Sequence, residues 1–229
     1  MSLSYTCFLS KNYEKSLDFI NRVQQLLKYF TLDLSQEEYS FKAEILGKLE
    51  RYEEAISIWK ALRLKHDKEE YFLRIGAAYW YSGSLRKACF YYEKVNDPDV
   101  DWYSSHGQIL AELDEYQNAE KDLTYAIDHD KSSEGRAYPL SGRGFVRGKQ
   151  NRFSEAFKDF KESIAICPNN AWVYFNRAQI EEDMGDFDVA IQSYKTSLEK
   201  TEPPLPKFKR DYAQTKINEL ELIKNQKKK

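Results

Sequence analysis

The stretch RFSEAFKDFKESIAICPNN, residues 152–170, decides the fold class of this chain. An aromatic residue stands three positions before Ala156, and a second one, Phe160, stands four positions after it. Residues three and four positions apart lie on one face of an α-helix, so this spacing predicts an amphipathic helix. Pro168 predicts where this helix ends, because the residue before a proline disfavours the helical conformation.

The same pattern recurs five times along the chain. Its alanine has counterparts at intervals of 33, 31, 37 and 34 residues, and a small residue always stands twelve positions earlier. A large apolar or aromatic residue follows each alanine four positions later. The alanines are Ala55, Ala88, Ala119, Ala156 and Ala190; the small residues are Ala43, Gly76, Gly107, Gly144 and Ala178; the large residues are Trp59, Tyr92, Leu123, Phe160 and Tyr194.

Each recurring unit predicts two antiparallel amphipathic helices joined by a short turn. The small residues mark the places where the two helices of a pair approach closely, and the aromatic residues fill the gaps between neighbouring pairs. One pair cannot bury its apolar face alone, so the pairs are expected to stack into a solenoid.

This pattern resembles the tetratricopeptide repeat family, most clearly in residues 137–170 and in the following YFNRAQIEEDMGDFDVAIQSYKTSL, residues 174–198. The resemblance implies an all-α fold, a right-handed superhelical α-solenoid of helix–turn–helix repeats with a C-terminal capping helix. The expected segments are a degenerate N-terminal repeat or cap (1–35), five repeats (36–68; 69–99, which is short; 100–136, which carries an insertion; 137–170; 171–204), and a capping helix with a basic tail (205–229).

The composition excludes several classes of function. The net charge of −2 gives the whole chain no nucleic-acid signature. The three cysteines and three histidines show no metal-ligand spacing, and none of the nucleophile, zinc-protease or phosphate-loop motifs occurs. We therefore expect no cofactor, no metal and no catalysis. The absence of a signal peptide and of a long apolar run leads us to expect a cytoplasmic protein.

The family resemblance implies that the first helices of the repeats line a concave groove, which binds a peptide or a helix of a partner protein. The repeat register gives the candidate groove residues, although aromatic residues in helical repeats more often pack between helices. The candidates are Arg74, Trp80, Tyr81, Gln108, Gly142, Phe145, Trp172, Phe175 and Asn176.

Three alternatives to a general interaction module remain open. A peptide-sensing regulator would use the same groove. A chaperone-associated adaptor would grip a C-terminal carboxylate, for which Asn176 stands in the family's position, but Ser141, Phe145 and Pro206 replace other residues of that clamp. A nucleic-acid-binding repeat would need a basic groove, and the groove positions include Glu37, which argues against it.

The glycine-rich stretch SGRGFVRG, residues 141–148, falls inside a predicted first helix. Gly144 occupies the small position of its repeat, whereas Gly142 and Gly148 are predicted to face the groove and to let a partner backbone approach. Arg143 and Arg147 are expected to bury their stems and to pair with acids such as Glu155 or Asp159; Asp159 follows the stretch on the next helix.

Overall fold

The computed structural model describes residues 2–30 and 32–226, and this part of the chain contains thirteen α-helices and no strand. It divides into two compact units, residues 1–96 and 97–229. The helices of the N-terminal unit are α1 (Ser2–Leu9), α2 (Tyr13–Tyr29), α3 (Gln36–Lys48), α4 (Tyr52–His66), α5 (Glu70–Tyr81) and α6 (Leu85–Tyr92). Those of the C-terminal unit are α7 (Val100–Glu112), α8 (Tyr116–His129), α9 (Ala137–Lys149), α10 (Phe153–Ile166), α11 (Ala171–Asp183), α12 (Phe187–Glu199) and α13 (Lys207–Gln226).

The helices follow one another in pairs, as the sequence predicts, and each unit contains three pairs. In the C-terminal unit α13 packs on α12 and so covers the last pair, which confirms the expected capping helix. The segment boundaries assigned from the sequence stay a prediction, because helix bounds alone do not fix where a repeat begins.

All six turns within the pairs share one backbone feature. In each turn the residue two positions before the second helix has a positive φ, between 59° and 83°. Glycine adopts this left-handed conformation without strain, asparagine and aspartate tolerate it, and it costs most other residues about 1–2 kcal/mol. Glycine supplies it twice, and the other four turns use a non-glycine residue; the six residues are Lys11, Glu50, Gly83, Asp114, Asn151 and Gly185.

The small residues of the repeat lie where the two helices of a pair touch. A β-carbon placed on Gly76 would lie 2.7 Å from Cδ2 of Tyr92, and one placed on Gly144 would lie 2.7 Å from Cε1 of Phe160. Both contacts join a small position to the large residue of the same repeat. The close approach predicted from the twelve-residue spacing is therefore confirmed.

Two arginines of α9 link this helix to α8 and α10 through buried ion pairs. Arg143 forms a bidentate pair with Asp159 at 2.9 and 3.0 Å, and Arg147 donates to the same carboxylate at 2.9 Å. The Asp159 side chain is only 3% exposed, so its two partners are needed to compensate its desolvation. Arg147 also donates to Glu120 of α8 at 3.0 Å. The predicted pairing with Asp159 is confirmed, and Glu120 is a partner that the sequence did not suggest.

A candidate binding pocket in the C-terminal unit

A cavity of about 310 Å³ opens in the C-terminal unit. Its walls come from the first helices of three consecutive pairs, α7, α9 and α11, and from the beginning of α13. The lining residues of α11 are Trp172, Phe175, Asn176 and Gln179, which recur at helical spacing and therefore share one face. The stacking of first helices places such faces side by side.

Aromatic rings form much of the inner surface of the pocket. Trp172 and Phe175 are each 2% exposed, and Phe145 is 8% exposed. The ring of Phe175 lies 5.8 Å from that of Tyr212, which comes from α13, and 5.9 Å from that of Tyr194 beneath it. These residues therefore serve as core and as pocket surface at once.

Three amide side chains add hydrogen-bonding capacity to this apolar surface. The Asn176 amide donates to Oγ of Ser141 at 3.0 Å and to the Ser141 carbonyl at 3.4 Å, so α9 fixes its orientation. Gln108 of α7 is buried, and Gln179 is half-buried at the pocket wall. An amide both donates and accepts, so these groups suit the backbone of a bound peptide.

Both lysines of the pocket are paired with carboxylates. Nζ of Lys209 lies 2.8 Å from Oε2 of Glu112, and Nζ of Lys149 lies 2.7 Å from Oδ2 of Asp183. Asp114, on the turn after α7, adds a further carboxylate to the lining. Lys209 is 6% exposed, so its ammonium group depends on the pocket for nearly all of its solvation.

Ring contacts complete the surroundings of Lys209. Its Nζ lies 5.1 Å from the ring centroid of Trp172, 4.9 Å from that of Phe175 and 5.4 Å from that of Phe208. Cations attract aromatic faces within about 6 Å of the centroid. The pocket thus holds one ammonium group between three rings and the Glu112 carboxylate.

The structure brings six of the nine groove candidates together in this pocket. The six are Gln108, Gly142, Phe145, Trp172, Phe175 and Asn176. Whether they contact a partner stays a prediction, but their shared face is a property of the fold.

The other three candidates belong to the N-terminal unit and lie outside this pocket. Arg74 pairs with Glu44 at 3.0 Å and is half exposed. Trp80 is 5% exposed and packs into the core of its unit. Tyr81 stacks on the ring of Tyr52, with the centroids 6.4 Å apart. Arg74 is therefore the most accessible of the three to a partner.

The prediction for Gly148 is wrong. A β-carbon on this residue would lie 2.5 Å from Cγ1 of Ile180, so Gly148 allows α9 and α11 to pack and does not serve a partner. Gly142 does line the pocket, but a β-carbon there would lie 3.0 Å from Cγ of Gln108 and from Cδ2 of Leu123. Packing between neighbouring pairs is therefore a sufficient reason for both glycines.

The sequence reading missed the contribution of α13 to the pocket. The sequence predicts this helix as a cap, whereas Phe208, Lys209 and Tyr212 also line the cavity. The signal that was available is the spacing of Phe208 and Tyr212, four positions apart on one helix face. The pairing of Lys209 with Glu112, 97 residues earlier, has no local signal in the sequence.

Antiparallel helix pairs whose first helices line one cavity define a helical-repeat protein. A family model described as tetratricopeptide repeat matches residues 160–192, which run from the middle of α10 into α12. The tetratricopeptide repeats identified from the sequence are confirmed.

Two curated relatives are similar in sequence. The "DnaJ homolog subfamily C member 7 homolog" of Dictyostelium discoideum is 23% identical over 206 residues, which are 80% of this chain and 38% of the relative. The "Hsp70-Hsp90 organising protein" of Plasmodium falciparum is 32% identical over 66 residues, 29% of this chain and 11% of the relative. The chain thus spans well under half the length of either relative.

Solved structures share the fold at low identity. The crystal structure of the APC/C hetero-tetramer Cut9-Hcn1 contains a chain that matches 95% of this one, with a TM-score of 0.68 and 12% identity; the match covers 41% of that chain. A tetratricopeptide repeat protein from Parabacteroides merdae matches with a TM-score of 0.60 and 13% identity, and the match covers 96% of both chains. These likenesses establish the fold.

Within residues 2–30 and 32–226, none of the helices is both long enough and apolar enough to cross a membrane.

Proposed function

We propose that this protein is a non-catalytic interaction module, which binds a peptide or a helical segment of a partner protein in the pocket of its C-terminal unit. The pocket itself carries the proposal. It combines buried aromatic rings, oriented amides and paired charges on the faces of three successive first helices. Binding sites for extended segments typically have such an apolar surface with a few fixed polar groups.

The contacts of the bound segment in the pocket are assigned to the six clustered candidates. Arg74, Trp80 and Tyr81 are proposed as partner contacts of the N-terminal unit, separate from the pocket. Aromatic and arginine side chains dominate the binding energy of many interfaces. The known fold supports an interaction role, and one structural neighbour is titled a tetratricopeptide protein "with an unusual peptide-binding site". A cytoplasmic location belongs to the same proposal, and imaging of the tagged full-length protein tests it.

A chaperone-associated adaptor is the second candidate, because both curated relatives carry chaperone names and Asn176 lies in the pocket. Such an adaptor would grip a terminal carboxylate with cationic groups. The two lysines of the pocket are already paired with Glu112 and Asp183. An acidic peptide with a free C-terminal carboxylate, compared with its C-terminal amide, tests this candidate directly.

The experiment for the main proposal is selection from a displayed random peptide library against the full chain. Gln179→Trp would fill the pocket from its half-buried wall, and Gln192→Trp makes the same change at an exposed site on α12. Selected peptides should bind the wild type and Gln192→Trp, and should lose at least about tenfold in affinity for Gln179→Trp. Equal binding to all three proteins, or the absence of any selected peptide, would contradict the proposal.

A further inference from the structure

The contacts of Lys209 describe a recognition site for an ammonium group. Three rings surround Nζ at 4.9 to 5.4 Å, and one carboxylate oxygen of Glu112 lies 2.8 Å away. Aromatic rings around a cation supply attraction without requiring water, and the carboxylate neutralises the charge. The Lys209 side chain is 8% exposed and that of Glu112 is 17% exposed, so the pair is shielded from solvent.

The ammonium group that fills this site belongs to a lysine in the first turn of α13. Lys209 is the third residue of the helix, just after the segment 201–206, which contains no helix. Other contacts hold α13 on the unit, among them Lys216 with Glu182 at 2.9 Å and the ring of Tyr212 with that of Phe175. These contacts do not involve Lys209, so a rotamer change of its side chain would leave them in place.

We infer that the pocket is a binding site for a lysine side chain of a partner peptide, and that Lys209 occupies it in cis until such a lysine displaces it. This inference deepens the proposed function and rests on it. The site favours a cation over an anion because its rings present negative faces and Glu112 supplies a negative charge. With the Lys209 side chain withdrawn, the carboxylates of Glu112 and Asp114 line the cavity together with one ammonium group, that of Lys149, which is already paired with Asp183.

The same geometry implies that Lys209 competes with a partner lysine for the site. A tethered side chain acts at an effective concentration on the order of millimolar or above. A partner lysine must overcome this concentration, so the affinity of the wild-type protein for any lysine ligand is lowered. Removing the Lys209 side chain should therefore raise the affinity, whereas removal of a residue that contacts the ligand would lower it.

The probe is Nα-acetyl-lysine N-methylamide, and its neutral counterpart is the Nα,Nε-diacetyl derivative. Binding is measured on the full chain by NMR titration. Lys209→Ala should bind the charged probe at least about tenfold more tightly than the wild type. Lys207→Ala, which removes an exposed lysine two positions earlier, should behave like the wild type. The diacetyl probe should not bind, and Glu112→Gln added to Lys209→Ala should abolish the gain.

Two results would overturn the inference. Equal binding of the charged probe to Lys209→Ala and to the wild type, including no binding to either, would show that Lys209 does not compete for a lysine site. Binding of Nα-acetyl-glutamate N-methylamide to the wild type and its loss in Lys209→Ala would show that the pocket is an anion site. If Lys209→Ala fails to fold, the wild type must still bind the charged probe and Glu112→Gln must lose it.

The library selection separates this inference from the proposed function. Peptides that bind the pocket but keep their affinity when their lysines are replaced by glutamine would remove the inference and leave the function standing. Failure to select any peptide would contradict the proposed function, whether or not the charged lysine probe binds.

Discussion

At the scale of single residues, glycines determine how closely the two helices of a pair can approach. Gly144 meets Phe160 at a distance where no β-carbon fits, and the Ala156 carbonyl, part of the backbone, would lie 3.0 Å from that β-carbon. The backbone cannot turn aside as a flexible side chain can. Helix propensity therefore favours alanine at this residue, whereas packing requires glycine.

We expect Gly144→Ala to lower the free energy of unfolding by about 1–3 kcal/mol, because the added methyl group overpacks the contact. The helix propensity of alanine, about 1 kcal/mol better than that of glycine, offsets part of this loss. Gly47→Ala is the matched control, since a β-carbon there meets nothing within 4 Å, and it should stabilise the protein by up to about 1 kcal/mol. Urea unfolding followed by circular dichroism measures both; a Gly144→Ala protein as stable as the wild type would contradict the packing explanation.

Glu120 gives a second residue-scale prediction, which concerns pH. Its burial alone would raise the pKa of the carboxyl, but hydrogen bonds from Arg152 and Arg147 outweigh burial and hold that pKa below its ordinary value of 4.5. A carboxyl whose pKa is lowered by folding stabilises the protein fully above its unfolded pKa, and this contribution is lost as the pH falls through the folded pKa.

The stability difference between wild type and Glu120→Gln should therefore be largest above about pH 5 and should shrink as the pH falls below 4.5, the ordinary value of the carboxyl. Unfolding in urea at a series of pH values measures this difference. Gln192→Ala, which changes no ionisable group, controls for effects of pH on the whole chain. A difference that stays constant down to pH 3 would show that the hydrogen bonds of Glu120 do not depend on its charge.

At the scale of elements, the turns within the helix pairs impose the same backbone conformation on very different residues. Gly185 has a φ of 83°, and a β-carbon there would meet nothing within 4 Å. Steric contact is thus absent at this position, and only the backbone conformation resists substitution. Asn151 occupies the equivalent position with a φ of 62°.

Gly185→Ala should cost about 1 kcal/mol of unfolding free energy, through left-handed strain alone. Asn151→Gly should cost nothing beyond a few tenths of a kcal/mol, because asparagine and glycine both tolerate this conformation. Urea unfolding of both variants in the same buffer makes the comparison. A larger loss in Asn151→Gly than in Gly185→Ala would contradict the account of the turns.

Contacts within one repeat can be predicted from the sequence more readily than contacts between repeats. The pairing of helices follows from spacings that recur within about 35 residues, and the contact of Gly144 with Phe160 lies within one repeat. Gly148 was misassigned because its neighbour, Ile180, belongs to the next repeat, and the face of a helix that meets the next pair depends on how the pairs pack. The site depends on such longer contacts, so only part of it was predicted.

At the scale of the whole molecule, the chain consists of two compact units that meet between residues 96 and 97 in sequence. The pocket, the arginine cluster of α9 and the capping helix α13 all belong to the C-terminal unit. This unit has its own buried core, which includes Trp172, Phe160 and Tyr194.

We expect the fragment of residues 97–229 to fold by itself, because it forms a compact unit with a buried core. Circular dichroism should show a helical spectrum and a cooperative thermal transition. Removal of α13 as well should abolish that transition or lower its midpoint, since Phe175 and Tyr194 would lose the cover that Tyr212 provides. A fragment without α13 that melts like the longer fragment would contradict the capping role.

The burial of Lys209 has a consequence for chemical labelling. Amine-reactive reagents modify lysines that reach the solvent, so Lys207 should be acetylated readily and Lys209 slowly. Ligands usually protect the residues that they cover. Here a ligand that supplies its own lysine would release Lys209, and its arrival would appear in a mass spectrum as a gain of modification at this one position.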